Sequence, residues 1–236
     1  MTITRVALVT GAGSGIGRGV ALSLVARRCH VICAGRRLDQ VEATVELIHQ
    51  EGGSAEAVAL DVNRADRVDE VVQAIVRKHG RLDVLVNSAG VFHKNKVIEQ
   101  SEEDWRDTID INLTGVFLCC RAAVRVMAQQ DLVEDTRGHL VTINSGAGVH
   151  GYATGAAYSS SKHALRGLVD SLRLEVAAQH IKVTDVVVSA TVESQMSEGR
   201  NVARLPASSV GDIVAFLVSV PGATTIDRVD VGQLQP

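Results

Sequence analysis

The sequence has few aromatic residues, only 3% of its 236 positions, and no concentration of charge of one sign. Its formal net charge is -3, and the acidic and basic residues are dispersed along the chain. Without a basic block or aromatics interleaved with cations, a nucleic-acid partner is not expected. No apolar run approaches the ~18 residues needed to span a bilayer. The N-terminal stretch to Gly11 lacks the long apolar core and small-residue cleavage site of a secretory signal. No membrane partner is therefore expected, and the expected location is the cytosol. Cysteine is sparse and unpatterned. Cys29, Cys33, Cys119 and Cys120 form no CxxC pair and no Cys/His ligand spacing, so they read as small buried apolar residues. The eight histidines show no HExxH pattern, and no bound metal is expected.

What the sequence does have is apolar content, 46% of residues, enough for one sizeable core and one domain over 1–236. Its pattern alternates. Val6–Val9, His30–Ala34, Ala57–Leu60, Leu82–Val86, His139–Asn144 and Ile181–Val188 are runs suited to strands buried on both faces. A last strand is predicted within Thr225–Val231. Between the runs lie helical patterns over Ile16–Arg28, Leu38–Gln50, Val68–Lys78, Glu102–Gln130, Ala156–Gln179 and Ser208–Val220. Strands alternating with helices imply parallel pairing through right-handed crossovers. The predicted fold is α/β, a Rossmann-type doubly wound parallel sheet of about seven strands flanked by helices. The polar stretch Glu193–Ala207 reads as a candidate active-site loop.

Gly11, Gly13, Ser14, Gly15, Ile16 and Gly17 lie in a turn that follows the first strand and opens the first helix. Free backbone N–H groups at a helix start, aided by the helix dipole, attract a phosphate. Glycine lets backbone approach such a ligand closely. After the second strand, dinucleotide folds often carry a carboxylate for the ribose 2′-hydroxyl. Here the chain reads Gly35-Arg36-Arg37. Two guanidinium groups in place of a carboxylate favour a 2′-phosphate, hence NADP, over NAD; solvated helix-start charges are the plain alternative.

Tyr158 and Lys162 are four residues apart at the start of a predicted helix, so they share a face. A free tyrosine, with a pKa of about 10, is a poor acid or base near neutrality. A neighbouring ammonium favours the phenolate, which suits proton delivery to an alkoxide or its removal. Such pairs are common on surface helices. The pair gains meaning from Ser145, which falls just past a strand, at the carboxyl edge where doubly wound folds bind ligands. Its hydroxyl can hydrogen-bond a substrate oxygen.

These motifs together resemble the short-chain dehydrogenase/reductase family along essentially the whole chain. The matching residues are Thr10–Gly17, Asp61-Val62, Asn87-Ser88-Ala89-Gly90, Asn112, Ser145, Tyr158 and Lys162. The resemblance implies that Tyr158 is the acid/base and that Lys162 lowers its pKa and holds the nicotinamide ribose. It implies that Ser145 polarises the substrate carbonyl and that Asn112, at a break in the long helix, supports a water-linked proton relay. It places Asp61 and Val62 at the adenine, and Asn87, Ala89 and Gly90 along the nucleotide. Val192 would offer backbone to the nicotinamide carboxamide, with Ser194 at the phosphates. It also implies a homo-oligomer, dimer or tetramer, paired through the long helices.

Two departures stand out. Ser189-Ala190 replace the Pro-Gly usual after the sixth strand, and Ser88 replaces an asparagine. The expected partner is a small carbonyl or alcohol, a 3-oxoacyl thioester, a small hydroxy acid or a ketone; low aromatic content disfavours flat polycyclic molecules. Phe92, His93, His150, Tyr152 and Met196 are candidate lining residues. The competing reading is an NADP-binding sensor or scaffold of the same fold with little turnover.

Overall fold

The structure, a computed structural model, describes residues 5–194 and 203–234. Seven strands form one sheet: β1 (Val6–Thr10), β2 (His30–Gly35), β3 (Ser54–Ala59), β4 (Val84–Asn87), β5 (Gly138–Ser145), β6 (Ile181–Val188) and β7 (Arg228–Val231). Their spatial order is β3-β2-β1-β4-β5-β6-β7, and every pairing is parallel. This is the Rossmann-type arrangement expected from the alternating pattern. The strand order reverses between β1 and β4, which opens a crevice at their carboxyl ends.

Helices cover both faces. Residues alternate along each strand between the two faces, and β1 shows the consequence: Val6 and Leu8 join one apolar cluster, Ala7 and Val9 the other. The first cluster packs under α3 (Ala65–His79), α5 (Gly115–Met127) and α6 (Ala156–Val176). The second packs under α1 (Gly15–Val25), α2 (Leu38–Gln50) and α7 (Ala207–Ser219). The four cysteines are free and buried. Burial pushes the Cys29 thiol up to about 11 and those of Cys33 and Cys120 to about 12, so they stay protonated.

Some boundaries differ from the sequence reading. β3 begins at Ser54 rather than Ala57. It is an edge strand, so polar Ser54 and Glu56 alternate with apolar residues and the apolar run understates its length. The long helix expected over Glu102–Gln130 is α4 (Glu102–Ile109), a π turn over Asp110–Thr114, and α5. Ser101 caps α4 by accepting from the Asp104 N–H, and three acidic residues in the first turn complement the dipole.

Two buried polar residues shape the sheet's interior. His139 on β5 lies 2.8 Å from Thr184 Oγ1 on β6, and that hydroxyl gives its one proton to the Ile226 carbonyl. His139 must then donate from Nε2, which leaves Nδ1 as an unprotonated nitrogen without a partner among the described residues. Burial, reinforced by Lys182 and Arg5, pushes its pKa down to about 3, so the ring is neutral at physiological pH.

Candidate active site

A cavity of about 1080 Å³ opens at the carboxyl edge of the sheet, over the β1/β4 crevice. The glycine turn forms one wall. Gly15 takes a left-handed φ of 51°, and a Cβ there would come within 2.8 Å of Ser194; only glycine brings the turn this close to that loop. Contacts not foreseen from sequence hold the turn in place. Arg18 Nη2 donates to the Gly13 carbonyl at 2.5 Å, and its Nε donates to Thr44 Oγ1 at 3.1 Å. Thr44 in turn donates to the Ala12 carbonyl at 2.9 Å. Thr10 accepts from the N–H groups of Ser88 and Ala89, which pins the segment after β4 against the turn.

The structure brings most of the anticipated residues to this cavity. Gly11, Gly13, Ser14, Gly15, Ile16 and Gly17 line one end with Arg36, Arg37 and Val62. Ala89, Gly90, Ser145, Tyr158, Lys162, Val192 and Ser194 line the rest. Three anticipated residues stand off the wall. The Asp61 carboxylate accepts from the Asn63 N–H at 3.1 Å. Asn87 is buried and donates to Cys120 Sγ at 3.3 Å. Asn112, fully buried, accepts from Val91 N–H at 2.8 Å and donates to the Val91 carbonyl and to Ser161 Oγ. Its side chain is thus committed to holding the segment after Gly90 against α6. It sits inside the π turn, a distortion that often marks functional sites. Met196 lies outside the described residues.

Tyr158 and Lys162 occupy the first turns of α6 and line the same cavity as Ser145 at the end of β5. Lys162 is buried; its ammonium donates to the Ile143 carbonyl at 2.9 Å and lies 5.7 Å from the centre of the Tyr158 ring. Burial pushes its pKa down to about 8, and the Asp185 carboxylate on β6 opposes that fall. Asp185 is itself buried, its pKa raised by burial against the pull of Asn144, Lys162 and Arg228. Asn144 links this carboxylate to the serine: its Nδ2 donates to Asp185 Oδ2 at 3.2 Å, while its Oδ1 accepts from the Ser145 N–H at 2.8 Å. Nothing in the sequence singled out Asp185, because its electrostatic influence on Lys162 requires β6 and α6 to meet in space.

The loop after β6 keeps an ordinary backbone without Pro-Gly. Neither Ser189 nor Ala190 has a positive φ or a cis bond. Ser189 N–H donates to the Val231 carbonyl, and Thr191–Glu193 is held by backbone bonds with Leu205. The far end of the cavity carries the aromatic rings of Phe92, Tyr152 and Tyr158 with His93 and His150 beside them. Phe92 meets the Tyr158 ring edge-on at 5.3 Å and lies 6.3 Å from Tyr152. Half of the chain's six aromatic residues gather here, so the argument from low aromatic content does not carry over to the site.

A parallel α/β sheet with a glycine-lined crevice and a Ser-Tyr-Lys group on one wall defines a nucleotide-binding oxidoreductase of the Rossmann class. The chain belongs to the short-chain dehydrogenase family, whose model matches residues 5–204, and it is accordingly an oxidoreductase of a family that uses nicotinamide cofactors. It is 36% identical over 198 residues to a 3-oxoacyl-[acyl-carrier-protein] reductase of Synechocystis sp., covering 84% of this chain and 78% of that one. It is 36% identical over 188 residues to a 3beta-hydroxysteroid dehydrogenase of Mediterraneibacter gnavus, covering 79% of this chain and 66% of that one. Among solved structures it is similar to a metagenomic short-chain oxidoreductase in complex with NADP, with TM-score 0.87, 29% identity and both chains covered in full. It is also similar to an actinorhodin polyketide ketoreductase variant with NADPH, with TM-score 0.87, 30% identity, 97% of this chain and 96% of that one.

Proposed function

We propose that the protein, acting as one domain over 1–236, transfers a hydride between NADP(H) and a carbonyl or secondary alcohol, with Tyr158 as the acid/base. The observation that carries this is the convergence of Ser145, Tyr158 and buried Lys162 on the cavity that the glycine turn and Arg36 also line. The backbone of residues 11–17 is suited to a pyrophosphate and the Arg36-Arg37 pair to a 2′-phosphate. Relatives with NADP and NADPH support the same choice. When bound, the cofactor supplies or accepts the hydride.

The chain's own groups manage the proton. Ser145 Oγ hydrogen-bonds the substrate oxygen and polarises it. The Tyr158 hydroxyl gives its proton to the developing alkoxide in reduction and takes it back in oxidation. The Lys162 ammonium, held by the Ile143 carbonyl, stabilises the phenolate left behind. Asn112 contributes through placement, fixing the segment after Gly90 to α6 across the π turn. The Phe92–Tyr152 wall, and the pairing of neighbouring His93 with Asp107 at 2.8 Å, favour a neutral carbonyl on an apolar body over a small hydroxy acid. A ketone or a 3-oxoacyl thioester meets that description.

The test is a screen of neutral ketones, 3-oxoacyl thioesters and 2-oxo acids, following nicotinamide absorbance with NADPH and NADH. Turnover of a neutral ketone or thioester with preference for NADPH is expected. Nucleotide binding with no turnover of any substrate class would point instead to a sensor.

A further inference from the structure

We propose a zinc site at the opposite edge of the sheet from the cavity, formed by His30, Glu56 and His79. The three side chains come from β2, β3 and the last residue of α3, so no sequence spacing announces them. His30 is the first residue of β2 and pairs in register with Ser54, which puts Glu56, two residues on, on the same face. α3 covers that face and ends over it at Gly80, whose φ of 82° stops the helix immediately after His79. The His30 and His79 rings lie 4.5 Å apart.

One carboxylate oxygen sits between two imidazole nitrogens. Glu56 Oε1 is 3.1 Å from His30 Nε2 and 3.2 Å from His79 Nε2, and the three ligand atoms fall within 4.8 Å of one another. Ligands about 2.0–2.1 Å from a tetrahedral ion stand about 3.3 Å from each other, so the donors already have the spacing of a tetrahedral edge. His79 Nε2 is shielded from solvent, yet it has no hydrogen-bond partner among the described residues. It is a shielded nitrogen within ion-pair distance of the carboxylate oxygen but outside the geometry of a hydrogen bond to it. A cation between them meets both.

The surrounding groups fit such an ion. His30 Nδ1 lies 2.7 Å from Ser54 Oγ. Donation there turns the Nε2 lone pair toward the cluster, the usual outer-shell arrangement of a ligating imidazole. Lys78 holds the other carboxylate oxygen at 2.7 Å and leaves Oε1 for the metal. Two histidines and a glutamate with a fourth position open to water is a zinc ligand set. Such an ion would staple β2, β3 and the end of α3, far from Tyr158, and stabilise the fold by mass action.

The experiment is titration of the untagged, metal-stripped chain with zinc chloride, followed by calorimetry and thermal unfolding, and with cobalt chloride followed by absorption. One saturable equivalent, a zinc-dependent rise in Tm, and a tetrahedral cobalt spectrum without a thiolate charge-transfer band are expected. His79→Gln and Glu56→Gln should each weaken zinc about tenfold or more with unchanged turnover. Lys78→Gln, which removes a repelling charge, should tighten it. The cobalt spectrum is read on the unaltered chain and so does not depend on the variants folding. No saturable equivalent, a thiolate band, or affinity indifferent to both glutamine variants would overturn the site.

Discussion

The buried Lys162 ammonium lies 5.7 Å from the centre of the Tyr158 ring and is anchored to the Ile143 carbonyl. Its position is fixed from below by β5 and balanced from the side by Asp185 on β6. The proton chemistry of Tyr158 is therefore tied to the sheet as well as to the helix that carries both residues.

Lys162 titrates near 8 in the fold, below its ordinary 10.5. Reduction needs the charged lysine and the protonated tyrosine, so kcat/KM for reduction should fall as pH rises through about 8. Asp185→Asn keeps an acceptor for Asn144 but removes the carboxylate that raises the lysine's pKa. The other charged groups facing Asp185 are Asp170, on α6, and Arg228, on β7. In this variant the falling limb should move to lower pH. The pH profile of kcat/KM reads the shift; a purely structural role for Asp185 would lower the rate at all pH values and leave the limb in place.

Arg36 should account for nucleotide choice. A charge-assisted hydrogen bond contributes about 1.5–3 kcal/mol, so Arg36→Ala should weaken NADPH by about 10- to 100-fold and leave NADH nearly unchanged. Equilibrium binding of both nucleotides checks this.

His139 should set part of the acid sensitivity. Its folded pKa of about 3 lies below the ordinary 6.5. The unfolded chain therefore takes up a proton between those values while the folded chain does not, and stability falls as pH drops from 6.5 toward 3. The slope is ~1.4 kcal/mol per pH unit, or about 2 kcal/mol between pH 6.5 and 5. His139→Gln should flatten that window in urea unfolding, whatever it costs at neutral pH.

The runs that lie fully buried, β1, β4 and β6, were legible because both faces of each strand meet apolar clusters. The glycine turn, Ser145, Tyr158 and Lys162 were legible because their spacing is local to one turn or one strand-to-helix passage. The start of β3 was not, because an edge strand alternates polar and apolar residues. The break at Asn112 was anticipated through the family resemblance alone, and its form as a π turn over Asp110–Thr114 came only with the structure. Thr10, Arg18, Thr44 and Asp185 act through contacts between elements distant in sequence. No periodicity records such contacts, so the support of the site emerged only with the sheet order.

The central claim concerns the Tyr158 hydroxyl. Tyr158→Phe removes one oxygen atom and leaves the ring against Phe92. Single-turnover reduction and NADPH binding by this variant, measured side by side with the unaltered protein, test the claim most directly. The expected result is turnover lowered by about a thousandfold or more, the scale of a lost general acid and its stabilised charge, with NADPH affinity within a few-fold. Turnover close to that of the unaltered protein would contradict the assignment of Tyr158 as the acid/base.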